Sequence, residues 1–283
     1  MTNIAELTHF RDQIRLWTLK ELHHLGFGHY GGSLSIVEAL AVLYGDVLNV
    51  NPNQPDDPER DYFILSKGHG GPALYAALAV KGFFDRDWLY TLNKNGTNLP
   101  SHPDRNKTPG VEMTTGSLGQ GISVAAGVAF SNKLANKNSY TYTIVGDGEL
   151  NEGQCWEAIQ FAAHNQLSKF VVLVDDNKKQ LDGLTVDICN PFDFAEKFRA
   201  FGFEATHVDG RDLNAIREAI LKGKQQHDKP VAIILDTVKA QGVPFLEEKM
   251  DNHHVRPNED DLAAIEEAIA QLEDKLSQEG VFS

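Results

Sequence analysis

The run from Tyr140 to Gly183 constrains the fold more than any other stretch of the chain. Tyr140–Val145 alternates threonine with tyrosine, isoleucine and valine, the residues of a strand, and stops at Gly146-Asp147-Gly148. The apolar spacing predicts a helix over about Glu152–Asn165, and a second strand, Phe170–Val174, runs into Asp175-Asp176-Asn177. Two strands joined by a helical crossover lie parallel. Asp147 and Asn177 then stand at the carboxyl ends of parallel strands, where open α/β sheets bind ligands. One oxygen side chain from each suits a small divalent cation carrying a diphosphate, and glycine on both sides of Asp147 lets backbone approach closely. Mg²⁺ takes about six oxygens, so a backbone carbonyl, diphosphate oxygens and water must complete such a shell.

The remaining chain repeats this alternation. Apolar positions over Ile4–Leu25 read as an amphipathic helix ended by Gly26, followed by a glycine-dense loop, Gly26–Gly32. Ser35 and Glu38 have capping-box spacing and predict a helix to about Leu48. Asp61–Leu65 reads as a strand leading into Ser66-Lys67-Gly68-His69, and Pro72 opens a helix. Asn93–Pro109 reads as a long loop, and Ile122–Leu134 as a helix of small residues. After the central unit come a helix over Phe192–Phe201, a strand over Glu204–Val208, a helix over Leu213–Gln225 and a strand over Val231–Leu235. Thr237–Asn252 is rich in turn residues, and Asn258–Leu276 reads as an acidic amphipathic helix. The expected fold is α/β: a doubly wound, mostly parallel sheet with helices on both faces. Residues 1–257 form the expected ligand-binding domain, and 258–283 a C-terminal helix packed on it or on a partner.

Composition narrows the function classes. With 283 residues the chain can bury a full core, and a net charge of -14 argues against a nucleic-acid or anionic-membrane surface. Two separated cysteines, Cys155 and Cys189, fit a reducing compartment. No signal segment and no apolar run of membrane-spanning length is evident, so a cytoplasmic protein is expected.

The loops carry the chemistry. His29, His69, His102, His253 and His254 sit in turn-rich segments beside glycine or proline, not on apolar faces. A single loop histidine is ordinarily surface; this many, interleaved with the glycine clusters, point to a site. Gly116–Gly121 enters a helix and could offer backbone N–H groups to an anion, although a glycine-rich turn alone equally reads as close packing. There is neither a strand–GxGxxG–helix nor a GxxxxGK[ST] pattern.

GHYGGSLS, SKGHGGPALYAAL, TTGSLGQG and GDGELNEGQCWEA, with Asn177 downstream of the last, together resemble the transketolase family. The similarity is greatest to its split form, in which the N-terminal, diphosphate-binding domain of the thiamine diphosphate-binding fold is a separate chain, and it runs from about residue 10 to 257. The resemblance implies thiamine diphosphate and Mg²⁺ (or Ca²⁺) as cofactors, the metal held by the Asp147 and Asn177 side chains and the Lys179 carbonyl. It places His69, Gly146, Gly148 and His253 along the diphosphate, Gly116 and Leu118 beside the aminopyrimidine, and Leu181 against the thiazolium. It implies His29, His69, His102 and His253 as catalytic groups lining the sugar funnel, with Glu152 linking active sites near a subunit interface. It further implies, as partner, a C-terminal, pyrimidine-binding subunit, an α₂β₂ assembly, and transfer of a two-carbon ketol unit from a ketose phosphate to an aldose. The chain is expected to lack the pyrimidine-domain glutamate that starts this chemistry and so to be inactive alone.

Three positions depart from the family pattern: Ser117 replaces a common proline, Lys179 an apolar residue, and His254 a usual glycine. The last leaves open which of His253 and His254 reaches the cofactor. Other readings are a subunit of a 2-oxo acid dehydrogenase, a deoxyxylulose phosphate synthase-like enzyme, or a non-catalytic cofactor-binding module.

Overall fold

A computed structural model describes residues 2–279. In chain order the elements are α1 (Ile4–Leu25), α2 (Tyr30–Leu34), α3 (Val37–Val42), β1 (Tyr62–Leu65), α4 (Gly71–Lys81), α5 (Gln120–Leu134), β2 (Thr141–Gly146), α6 (Gly153–His164) and β3 (Phe170–Asp176). Then follow β4 (Lys179–Gln180), β5 (Gly183–Leu184), α7 (Thr185–Ile188), α8 (Phe194–Ala200), β6 (Glu204–Asp209), α9 (Leu213–Gly223), β7 (Val231–Asp236), α10 (Pro244–Glu247) and α11 (Glu259–Gln278). Five strands form one sheet in the order β1-β2-β3-β7-β6, every neighbour parallel. This is the expected doubly wound α/β architecture.

Strand alternation divides the core into two layers. Phe63, Leu65, Tyr142, Ile144, Val171, Leu173, Ile233 and Leu235 face α1, α3, α4 and α9. Ile64, Val145, Val172, Val174, Ala232 and Ile234 face α5, α6 and α8. Sheets buried on both faces need near-continuous apolar strands, and β3 is buried along its whole length. α11 lies against α1 with Ile265 fully buried, and Lys275–Asp12 (2.6 Å) and Lys20–Glu273 (2.5 Å) pair across the contact. No described helix is long and apolar enough to cross a membrane.

Three local expectations are corrected. The glycine-dense stretch is partly helical, because α2 covers Tyr30–Leu34. Ser35 does not N-cap α3, which begins after Ile36 without a side-chain cap; it closes α2 instead, and its hydroxyl donates to Asp175 at 2.7 Å. A helix start offers N–H donors to the hydroxyl oxygen, whereas the buried carboxylate takes its proton in a charge-assisted bond, so tertiary contact overrides the capping-box pattern. The segment ends in a π-helical turn, Leu43–Val47, not in regular helix. The β4–β5 hairpin with α7, and α10, have no counterpart in the sequence reading; each is too short to carry a periodic signal.

Candidate active site

β2 and β3 pair so that Gly146 lies opposite Asp175, and Asp147 and Asn177 follow at the carboxyl ends. A cleft of about 360 Å³ opens there, within the usual size of a small-molecule site. Asp147, Asn177, Gly146 and Gly148 line its floor, with His69 and His253 on one wall. Leu118, Glu152 and Leu181 also border it; Leu181 is exposed, on the turn between β4 and β5.

Asp147 is held by backbone: one carboxylate oxygen accepts from Gly148 N–H at 2.8 Å and the other from Lys178 N–H at 2.7 Å. Lys178 reaches it only because its φ is +68°, a left-handed conformation that non-glycine residues rarely adopt. Burial, with the Asp175 charge adding to it, pushes the Asp147 carboxyl up to about 7. Among the described residues no cationic side chain lies within 4.0 Å of Asp147.

Asn177 is positioned from behind. Its amide donates to Asp175 at 2.8 Å, and its side-chain oxygen accepts from Lys179 N–H at 3.2 Å. Asp175 is fully buried and also accepts from Lys67 (2.5 Å), Ser35 (2.7 Å) and Thr237 (2.5 Å). Burial raises its pKa, but the Lys67 charge and these hydrogen bonds outweigh that and lower it overall. One carboxylate thus ties together the ends of β1, β3 and β7 and the start of α3.

Two lysines were missed from sequence. Lys67 and Lys239 both reach the cleft. The Lys239 ammonium donates to the carbonyls of Lys179 (2.9 Å) and Gln180 (3.4 Å), so the carbonyl expected on the metal here accepts from an ammonium. Burial, with Lys67 nearby, lowers the Lys239 pKa to about 8. The Lys179 side chain points away, to the carbonyls of Glu247 and Lys249, so only its backbone faces the cleft. A signal for Lys239 existed: it follows closely on the carboxyl end of β7, on the same edge as Asp147 and Asn177.

Glu149 was also missed, and it answers one expectation differently. Its carboxylate accepts from Gly119 N–H (2.9 Å), Gly146 N–H (3.0 Å) and Ser66 Oγ (2.6 Å). The anion at the Gly116–Gly121 turn is therefore the protein's own. It fixes that turn to the end of β2, with the positive end of α5 favouring the charge.

The histidines converge. Ring centroids are 4.9 Å apart for His69 and His253, 5.6 Å for His29 and His69, 5.7 Å for His29 and His102, and 4.8 Å for His29 and His254. Gly116 backs this group: a Cβ there would lie 3.2 Å from the His102 ring. His253 lines the cleft, whereas His254 turns to a separate recess. Burial is the largest cause lowering all four inner imidazoles, to about 4 for His29 and about 3 for His253, with His69 and His102 shifted the same way. They are neutral at pH 7 and can donate or accept single hydrogen bonds.

The residues fit a metal-bound diphosphate. A buried carboxylate lacks a cation, two ammoniums flank the floor, and His253 Nδ1 is buried without a hydrogen-bond partner. Among the described residues no three His, Cys, Asp or Glu side chains could hold a metal by themselves, so a cation here needs a ligand's oxygens.

Residues 8–275 match the family described as transketolase, thiamine diphosphate binding domain. The chain is 46% identical over 95% of its length to the 6-deoxy-6-sulfo-D-fructose transketolase subunit of Clostridium sp. (strain MSTE9), covering 96% of that protein. It is 40% identical to an apulose-4-phosphate transketolase subunit of Actinobacillus succinogenes, over 88% of each chain. Among solved structures, transketolase from Campylobacter jejuni superposes with a TM-score of 0.87 at 29% identity; 98% of this chain covers 43% of that one.

Proposed function

The chain belongs to the transketolase family through its thiamine diphosphate binding domain, and we propose that it is the diphosphate-binding subunit of a two-chain transketolase. The activity is transfer of a two-carbon ketol unit from a ketose to an aldose. The observation that carries this reading is the Asp147–Asn177 pair on adjacent parallel strand ends, with neutral histidines above it. Relatives named as transketolase subunits match this chain over most of their own length, which supports a separate partner and argues against a dehydrogenase or synthase subunit.

Thiamine diphosphate, when bound, supplies the carbanion chemistry that carries the two-carbon unit. The chain's residues bind and orient. Asp147, Asn177 and the Lys179 carbonyl would hold Mg²⁺, with Lys239 turning from that carbonyl to the diphosphate. Gly146 and Gly148 would let the diphosphate approach the backbone, and His69 and His253 would donate to it. Gly116 and Leu118 would border the aminopyrimidine, and Leu181 would give the thiazolium an apolar contact. His29, His102 and His253 are neutral, so each can accept a hydroxyl proton on one nitrogen and donate from the other. That is the property needed to move protons along a polyhydroxylated sugar. Glu152 is exposed at the N-cap of α6 and suits contact with a neighbouring chain. We expect an α₂β₂ assembly with a C-terminal, pyrimidine-binding subunit, in the cytoplasm.

The test is an assay of this chain alone and mixed with its partner, each with thiamine diphosphate and Mg²⁺. Donors would include a ketose phosphate, 6-deoxy-6-sulfo-D-fructose and apulose 4-phosphate. Ketol transfer should require both chains. Full turnover by this chain alone overturns the two-chain reading, and cofactor binding with no turnover in the complex would favour a non-catalytic module.

A further inference from the structure

At the amino ends of β2 and β3, the edge of the sheet opposite the cleft, lies a second cavity of about 350 Å³, a small-molecule size. The last turn of α5 borders it, with residues 136–139, which enter β2, and residues 166–169, which enter β3. β2 is six residues long and runs from this cavity to the cleft, which at about 3.3 Å per residue sets the two sites about 20 Å apart. Lys133, Lys137 and Lys169 bring three ammoniums here. Their hydrogen bonds go to uncharged oxygens. Lys133 donates to the carbonyls of Asn165 (2.6 Å) and Gln166 (3.2 Å), and Lys137 to the carbonyl of Pro58 (2.8 Å). Lys169 donates to the Lys137 carbonyl (3.1 Å) and to Asn138 Oδ1 (3.0 Å). An ammonium has three N–H donors, so each of the three keeps at least one free.

Among the described residues none of these lysines has a carboxylate within 4.0 Å; the lysine ion pairs of the chain all lie elsewhere. The lining holds one carboxylate, the exposed Asp228. Lys133 at the end of α6 is an ordinary helix terminus, where a cation meets the last carbonyls. Three uncompensated lysines around one cavity, in a chain of net charge -14, are not explained that way. A second observation is independent of charge. Asn132 and Ser139 line the same cavity, each more than nine-tenths buried, and Asn132 Nδ2 and Ser139 Oγ have no hydrogen-bond partner. Buried polar side chains nearly always find one, and both of these groups are donors. What the cavity lacks is an acceptor with negative charge.

We propose that this cavity is a second ligand site, which binds a phosphate group as a small monoester or as the free anion. A phosphate monoester carries between one and two negative charges at pH 7 and three acceptor oxygens, enough to engage several ammoniums together. Lysine meets it as a point charge, without the planar geometry that arginine imposes. The site lies apart from the cleft and goes beyond the ketol-transfer reading, on which it does not depend.

The test uses the full chain with saturating thiamine diphosphate and Mg²⁺, at fixed pH and ionic strength. The probes are glycerol 3-phosphate, inorganic phosphate and glycerol, none of them a ketose or an aldose. The readout is the ring NMR signal of His227, which borders the cavity. Phosphate, free or esterified, should shift that signal saturably, and glycerol should not. Lys133→Gln combined with Lys137→Gln should raise the Kd by about tenfold to a hundredfold, as loss of charge-assisted hydrogen bonds does. Asn136→Asp gives a second variant, should the lysine pair fail to fold. Residue 136 has a left-handed φ of +53°, which aspartate tolerates as asparagine does, and the new carboxylate should weaken binding on a similar scale. Lys222→Gln, on α9, removes a charge elsewhere and should leave the Kd unchanged. Tighter binding of glycerol 3-phosphate than of phosphate assigns the site to an organic ester, and equal binding to the free anion; either supports it. No saturable shift in the parent chain overturns the proposal. So does equal weakening by Lys222→Gln, or a Kd that the cavity variants leave unchanged.

Discussion

Lys67 and Asp175 form an ion pair at 2.5 Å with both side chains removed from solvent, and the same carboxylate oxygen accepts the amide of Asn177 at 2.8 Å. The pair is the rear support of the cleft, since it fixes which way the Asn177 amide faces. A buried pair is costly to break because the surviving charge is stranded.

Lys67→Met should therefore destabilise the chain by about 3–5 kcal/mol in urea unfolding. The double variant Lys67→Met with Asp175→Leu should recover much of that loss, having no stranded charge. Mg²⁺-dependent thiamine diphosphate binding, read by calorimetry, should remain impaired in both. Recovery of binding along with stability would show that Asp175 does not position Asn177.

Gly32 sits directly beneath His69: a Cβ added there would lie 2.7 Å from the ring. Gly32→Ala must push the imidazole out of place. The expected cost is about 1–3 kcal/mol of stability from overpacking. In the holoenzyme kcat/KM should drop by about a hundredfold, the scale that a displacement of about 1 Å produces at a reacting centre. Unchanged kinetics would remove His69 from the site.

Glu21 is fully buried on α1 and neither carboxylate oxygen has a hydrogen-bond partner. Burial raises its pKa well above the ordinary value. A folded-state pKa above the unfolded one favours the folded chain less and less as pH rises, because the folded form holds a proton the unfolded form releases. The loss begins near the unfolded glutamate value of about 4.3 and continues up to the folded pKa. Glu21→Gln should thus match the parent at pH 4 and be more stable at pH 8, with a gain growing by at most about 1.4 kcal/mol per pH unit. Parallel stability–pH curves for the two proteins would contradict this.

Cys155 is buried against the Glu149 carbonyl at 3.3 Å, and burial, followed by the charges of Glu149 and Glu152, pushes its thiol up to about 12. Cys189 is exposed. A thiol reagent at pH 8 should modify one cysteine in the folded chain and both after denaturation, because only accessible thiolate reacts. Native labelling of Cys155, found by peptide mapping, would mean that the start of α6 opens readily.

The sequence by itself determined the sheet, its parallel pairing and the placement of Asp147 and Asn177 at its carboxyl ends. Strand runs such as Phe170–Val174 are apolar at every position, which only a sheet covered on both faces requires. Chain connectivity then places Asp147 and Asn177 at one edge without knowledge of any contact, and the glycine–histidine loops fall at that edge for the same reason. Only the tertiary structure decided what stands behind and around them. Ser35 reads locally as a helix cap and is drawn instead to Asp175, which is distant along the chain and adjacent in space. Lys239 follows the end of β7 and Glu149 lies within GDGELNEGQCWEA, but neither has a periodic signal, and their partners depend on which backbone groups the folded chain leaves within reach. The separation of His253 from His254 belongs here too: His253 lines the cleft and His254 a neighbouring recess. Both rings still lie near His29, at 5.5 Å and 4.8 Å, and the Gly28–Val255 bridge holds the segment that carries them.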